Sequence, residues 1–215
     1  MKALFWFSKG GLGCQPILKS HDSLTRARGS LQHGVTRADF ERKLYDGSVA
    51  DCFHRVPVRT GDAMFLPSGR VHAIGAGLVI FEIQQSSDTT YRVFDWNRVG
   101  LGGKPRELQV PQSLASIDFS DFEPALVEST FSGDASTKLR PLAQDPLFAV
   151  EVLQMAAGVD RPVAPHTMQI VACVSGKLGV ACGAVTIERS PGELCLVSAS
   201  LEAATLHART AATLL

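Results

Sequence analysis

Apolar and polar residues alternate over short distances in the middle of this chain, as they do in β-strands. Residues 63–66 and 78–81 are short apolar runs, and the valines in 56–58 are separated by a single residue. Residues 91–93 repeat the same alternation around an arginine. The pattern predicts a strand-rich region over residues 56–96.

A second strand-rich region follows residue 147. Apolar runs are separated there by Ser175-Gly176-Lys177 and Ser190-Pro191-Gly192-Glu193, which have the residues that favour turns. The predicted strands of this region are 148–155, 169–174, 177–182, 184–188 and 194–197.

Two short helices are predicted outside these strands. Thr36 can cap a helix whose first turn contains Asp39, and Gly47 is suited to its end. Residues 111–117 predict a second helix, because proline is tolerated in the first turn. The sequence therefore favours a mainly β protein with one or two short helices.

Two further parts of the chain carry no clear periodicity. The glycine-rich run 10–13 and residues 20–30 are predicted to be irregular loop. Residues 118–145 mix prolines with acidic residues and are also predicted to be loop-like, so we expect a domain boundary there. The predicted domains are a divergent segment 1–34, the C-terminal part of a first domain over 35–125, and a second domain over 126–215.

Composition narrows the classes of partner. The 215 residues include 21 basic and 21 acidic side chains, so nothing favours nucleic acid or an anionic membrane surface as a partner. The five cysteines contain no CxxC pair, which favours reduced thiols and a cytoplasmic location. The apolar run near the N-terminus is too short for a signal peptide or a membrane span.

One histidine follows a turn and a short strand at a characteristic spacing. Pro67, Gly69 and His72 follow Gly61 after six, eight and eleven residues. This spacing resembles the second motif of the cupin barrel, which places one imidazole at the barrel mouth. Metal ligation suits a histidine in that place, so His72 is the candidate metal ligand.

A longer run has a narrower resemblance. Residues 67–73 and 82–95 closely resemble the bacterial short form of mannose-6-phosphate isomerase, and the likeness extends from about residue 35 to 117. It implies an all-β fold of cupin (jelly-roll) barrels, with a partial first barrel and a degenerate second barrel without a metal motif. It also implies zinc as cofactor, and the interconversion of mannose 6-phosphate and fructose 6-phosphate.

Most of the metal ligands that the resemblance implies have no counterpart here. The family's Gln-x-His-Pro segment is absent, and Gln32 and His33 are adjacent, so in a strand they point to opposite faces. The family's glutamate corresponds to Leu4, which cannot bind zinc. The chain thus looks like an isomerase that begins partway through its first domain, and zinc occupancy at His72 alone would be weak.

Arg92 has two interpretations. From its strand position alone it is an ordinary arginine at a barrel edge. The resemblance instead implies an active-site arginine that binds the anionic sugar phosphate, which suits a guanidinium because it stays charged and binds paired oxygens. Glu82 and Gln84 share a strand face, and either line a pocket or form a structural network.

Two functional hypotheses from different classes remain open. The chain is either an isomerase-family member that is weak or inactive alone, or a non-catalytic cupin that acts as a sugar-binding or interaction module. A cupin dioxygenase fits less well, because such a site needs several histidines in one barrel. A partial barrel also leaves unpaired strand edges, which predicts self-association.

Overall fold

The computed structural model describes residues 2–7, 26–75, 78–86, 89–96, 98–99 and 103–215. The chain forms two compact units, and from residue 26 onward they divide between residues 126 and 127. The strands are β1 Lys2–Phe7, β2 Arg26–Leu31, β3 Phe53–Pro57, β4 Ala63–Leu66, β5 His72–Ala73, β6 Val79–Gln84, β7 Ser132–Gly133, β8 Thr137–Gln144, β9 Ala149–Met155, β10 Asp160–Pro162, β11 Gln169–Ser175, β12 Leu178–Cys182, β13 Val185–Arg189, β14 Leu194–Val197, β15 Thr205–Ala208 and β16 Ala212–Leu214. The helices are α1 Arg37–Asp46, α2 Val110–Ser116 and a 3-10 helix Val49–Cys52.

The first unit contains two three-stranded sheets, with strand orders β4-β1-β6 and β3-β2-β5. The predicted loop over 20–30 is wrong for its C-terminal part, because β2 begins at Arg26 and pairs antiparallel with both β3 and β5. Residues 10–13 lie outside the described ranges. Pairing on both sides, rather than an alternating sequence, makes this polar segment a strand.

The helix predicted after Thr36 is confirmed. The Thr36 hydroxyl accepts a hydrogen bond from the Asp39 backbone N–H, and Gly47 ends the helix with a φ of 85°. Phe40 is fully buried and packs edge-on against Phe53 and Phe119. The second predicted helix is confirmed as α2. Neither of these helices, in the part of the chain described, is long and apolar enough to cross a membrane.

The second unit is built from a six-stranded sheet of order β14-β11-β16-β9-β8-β7 and a four-stranded sheet of order β10-β15-β12-β13. Its ladders are antiparallel, and its core is filled by apolar side chains such as Cys173, Leu178 and Leu214. Burial raises the pKa of the Cys173 thiol to about 11, so this cysteine is an unreactive core residue. The prediction of loop over 118–145 is wrong at β8, an eight-residue strand.

Candidate functional site

A cavity of about 530 Å³ lies in the first unit, at the C-terminal end of the turn that follows β4. Its wall combines that turn with β5, the end of β6, the segment 89–96 and helix α2. The lining residues that matter for binding are Lys2, Arg70, His72, Gln84, Arg92, Phe94, Trp96 and Ser113. Both residues predicted to carry the function, His72 and Arg92, line this one cavity.

Hydrogen bonding fixes the tautomer of His72. Nδ1 lies 3.1 Å from the Arg70 carbonyl oxygen, and because a carbonyl only accepts, Nδ1 carries the proton. Nε2 is therefore the unprotonated nitrogen, and it has no hydrogen-bond partner in the described part of the chain. Burial lowers the pKa of His72 below its ordinary value, so the imidazole is neutral near pH 7.

The residue that holds His72 is itself clamped. The Arg70 guanidinium donates two hydrogen bonds of 2.7 Å to the Asp121 carboxylate and one of 2.8 Å to the Phe65 carbonyl. Ser30, fully buried, donates to the same carboxylate at 2.6 Å. The Arg70 hydrogen bond holds the pKa of Asp121 below its ordinary value. This clamp fixes the turn from which the imidazole projects.

An ion pair occupies the wall next to His72. The Lys2 ammonium lies 2.6 Å from the Glu82 carboxylate, and both side chains are about two-thirds or more buried, at 26% and 34% exposure. The two charges act on the His72 imidazole in opposite directions. Glu82 therefore forms an ion pair with Lys2, while Gln84 lines the cavity.

The described side chains do not assemble a metal cage. No group of three or more histidine, cysteine, aspartate or glutamate side chains comes together at metal-binding distances in residues 2–7, 26–75 and the later described ranges. Glu82, the acidic group beside His72, is engaged by Lys2. A stable zinc site takes three or four ligands at fixed geometry, so the described residues by themselves do not fit the metal that the resemblance implies.

Arg92 is held through its backbone, which leaves its charge available. Its N–H donates to the Gln109 side-chain oxygen at 3.0 Å, and its carbonyl accepts from the Gln109 N–H at 2.9 Å. The guanidinium donates a long bond of 3.5 Å to the Glu107 carbonyl. It forms no salt bridge with any carboxylate of the described ranges. A charged guanidinium in a cavity wall without a carboxylate partner is suited to an anionic ligand.

Several features of the site could not be read from sequence. Arg70 lies within the motif, but its partner Asp121 lies 51 positions away. Gln109 similarly acts on Arg92 across 17 positions. Only a weak sequence signal points to these supporting contacts. A polar residue beside a motif turn is costly to bury without a partner, so a partner is expected somewhere in the chain.

The antiparallel sheets and the cavity at their mouth define the class of protein, which is a cupin. The structure matches mannose-6-phosphate isomerase of Bacillus subtilis with a TM-score of 0.78 at 19% identity, covering 99% of this chain and 63% of that one. A mannose-6-phosphate isomerase from Salmonella typhimurium, bound to fructose 6-phosphate and zinc, matches with a TM-score of 0.61 at 15% identity, covering 99% and 65%. The predicted all-β cupin fold is confirmed.

Sequence comparison narrows the class to one group of relatives. Mannose-6-phosphate isomerase of Streptococcus mutans is 35% identical over 165 residues, which is 76% of this chain and 48% of that protein. The isomerase ManA of Bacillus subtilis is 40% identical over 86 residues, or 40% of this chain and 27% of that protein. No protein-family model matches the chain. The chain is thus related to the mannose-6-phosphate isomerases, as its motifs predicted, and spans about half or less of these relatives' length.

Proposed function

We propose that this chain binds a hexose 6-phosphate in the cavity of its first unit and is weak or inactive as an isomerase on its own. The observation that carries the proposal is the placement of His72 and Arg92 in one cavity that lacks a three-ligand metal cage among the described residues. The relatedness to mannose-6-phosphate isomerases, one of them solved with fructose 6-phosphate, supports the ligand class.

The two side chains have separate tasks in this proposal. Arg92 binds the phosphoryl oxygens, because its guanidinium is permanently charged and forms no described salt bridge. His72 is neutral and presents an unprotonated Nε2, which accepts a hydrogen bond from a sugar hydroxyl. Together they hold the anionic and the hydroxylated parts of one ligand.

Isomerisation moves a proton between adjacent carbons, and it requires stabilisation of an oxyanion that develops on the sugar. The relatives' zinc-bound structure supports a metal as the group that supplies it in those proteins. Residues that complete such a site would have to come from outside the described part of this chain. The interaction-module alternative shares the cavity but gives no account of a cavity guanidinium that forms no salt bridge among the described residues.

Calorimetric titration of fructose 6-phosphate into the chelator-treated 215-residue chain tests the proposal. The unaltered chain should bind, and Arg92→Ala should weaken binding by about tenfold or more, as expected for lost charge-assisted hydrogen bonds. Arg92→Lys should give an intermediate affinity, because it keeps the charge but loses the planar fork.

Arg37 provides the matched control. It is an exposed arginine on α1, paired with Glu41 and outside the cavity. Arg37→Ala changes the net charge by the same amount, so it should leave the affinity within about twofold, given the weak effect of surface charges. Absence of binding by the unaltered chain would contradict the proposed function.

A further inference from the structure

Trp96 has an unusual backbone conformation at the cavity wall. Its φ is 50°, in the left-handed region that bulky side chains rarely adopt. Asp95, the residue before it, is buried and forms a salt bridge with Arg106, which anchors the segment. Strained backbone of this kind persists where the surroundings enforce it, and it concentrates at ligand-binding sites.

The indole ring is supported on two sides and still exposed. The Phe94 ring meets it edge-on, with centroids 5.2 Å apart and an interplanar angle of 62°. The Arg98 guanidinium lies 5.5 Å from the ring centroid. Despite these contacts the residue is 37% exposed and lines the cavity. The ring is therefore a fixed aromatic surface in contact with the space that a ligand would fill.

The segment places this ring beside the cationic group of the site. Val93 and Asp95 are buried, and Arg92 and Trp96 both line the cavity with the intervening Phe94. The guanidinium and the indole are thus four positions apart in one segment and belong to the wall of one cavity. A ligand that reaches both has to combine negative charge with an apolar surface.

Phosphorylated sugars have that combination. The carbon chain of a hexose presents C–H groups that lose water when they contact an aromatic face, and the phosphate carries the charge. We propose that Trp96 is the contact surface for the carbon chain of the hexose phosphate, held by Phe94 and Arg98. The inference rests on the proposed function and adds a residue that selects a carbohydrate over other small anions.

The test compares affinities for fructose 6-phosphate, measured by calorimetry on the full chain. Trp96→Leu, which keeps an apolar side chain but removes the ring, should lower the affinity about tenfold, and Trp96→Phe should stay within about threefold. Tyr45→Ala is the matched control, because Tyr45 is an aromatic residue that is 85% exposed on α1, outside the cavity. It should leave the affinity unchanged.

Thermal unfolding separates a lost contact from a damaged fold. Trp96→Gly should unfold at or above the midpoint of Trp96→Leu, because glycine adopts a φ of 50° without steric cost. It should nevertheless bind as weakly as the leucine variant. An equal loss of affinity for fructose 6-phosphate in the phenylalanine and leucine variants would indicate a packing role and overturn the inference.

The remaining outcomes distinguish this inference from the proposed function. Binding by Trp96→Leu that equals binding by the unaltered chain would overturn the role of Trp96 and leave the sugar-phosphate function standing. Absence of binding by the unaltered chain would overturn the proposed function, and the inference with it.

Discussion

At the scale of single residues, the site depends on groups that hold the predicted residues rather than on those residues alone. His72 owes its tautomer to the Arg70 carbonyl, and Arg70 owes its position to Asp121. Arg92 is fixed in the same way by Gln109. The candidate side chains His72 and Arg92 could be predicted from sequence because they belong to the motif and to the stretch that carries the resemblance. Their supports became visible only once distant segments were brought together.

The Asp121 carboxylate should stabilise the first unit in a pH-dependent manner. Arg70 lowers its pKa, so its contribution is present above the unfolded carboxyl pKa of about 3.9 and is lost as the pH falls through the lower folded value. Asp121→Asn should cost about 2–4 kcal/mol near pH 7, because Arg70 keeps an unpaired charge at 16% exposure. Urea unfolding of both chains measures the difference, which should shrink toward pH 3. A cost that does not change with pH would contradict the ion-pair explanation.

Gln109 should act on ligand binding through Arg92. Gln109→Ala removes the acceptor of the Arg92 N–H and should lower the affinity for fructose 6-phosphate about threefold to tenfold. Gln109→Met keeps the length of the side chain but has no acceptor oxygen, so it should bind as weakly as the alanine variant, which a loss of general packing would not predict. Calorimetry on the three chains decides, and a methionine variant that binds as tightly as the unaltered chain would count against a positioning role.

At the scale of secondary-structure elements, tight turns set the register of the second unit. Gly176 lies in the turn between β11 and β12 with a φ of 82°, and an added Cβ would lie 2.2 Å from the Ala211 carbonyl oxygen. Gly158, between β9 and β10, has a similar φ of 78° but no neighbour within 4 Å of a Cβ. Comparing Gly176 with Gly158 therefore separates the cost of steric crowding from the cost of the left-handed backbone conformation.

Alanine at these two positions should have unequal costs. Gly158→Ala should lower the free energy of unfolding by about 1 kcal/mol, the cost of a left-handed alanine. Gly176→Ala should cost about 3 kcal/mol or more, because backbone must also move. Chemical denaturation of the two variants measures both values. Equal costs would show that the turn relaxes without resistance.

The same scale shows which elements a sequence can specify. Helix α1 was predictable because its cap and its terminal glycine are local signals. Strand β8 was not, because Pro141 interrupts its pattern, and the structure accommodates it where the register to β9 shifts. The strand predicted over 91–93 is wrong: that segment lies in no ladder, and the Arg92 backbone bonds to Gln109 instead. For β8 and for segment 91–93, contacts with residues distant in sequence decided the outcome.

At the scale of the whole molecule, the chain has two compact units and one described cavity that joins the two predicted site residues. We propose that the first unit carries ligand binding and that the second, whose core is filled by apolar side chains, has a structural role. The sequence predicted both the cupin fold and the place of His72. It predicted the cationic group Arg92 but not the aromatic part of the wall formed by segment 91–96, since that depends on packing.

The central claim is that this cavity binds a sugar phosphate without a metal cage of its own. Zinc content and isomerase turnover of the purified chain, measured on one preparation that also binds fructose 6-phosphate, test it most directly. The account predicts well under one zinc ion per chain and turnover near background, with binding retained after chelation. One tightly held zinc ion per chain and efficient turnover, with both lost in His72→Ala, would contradict it.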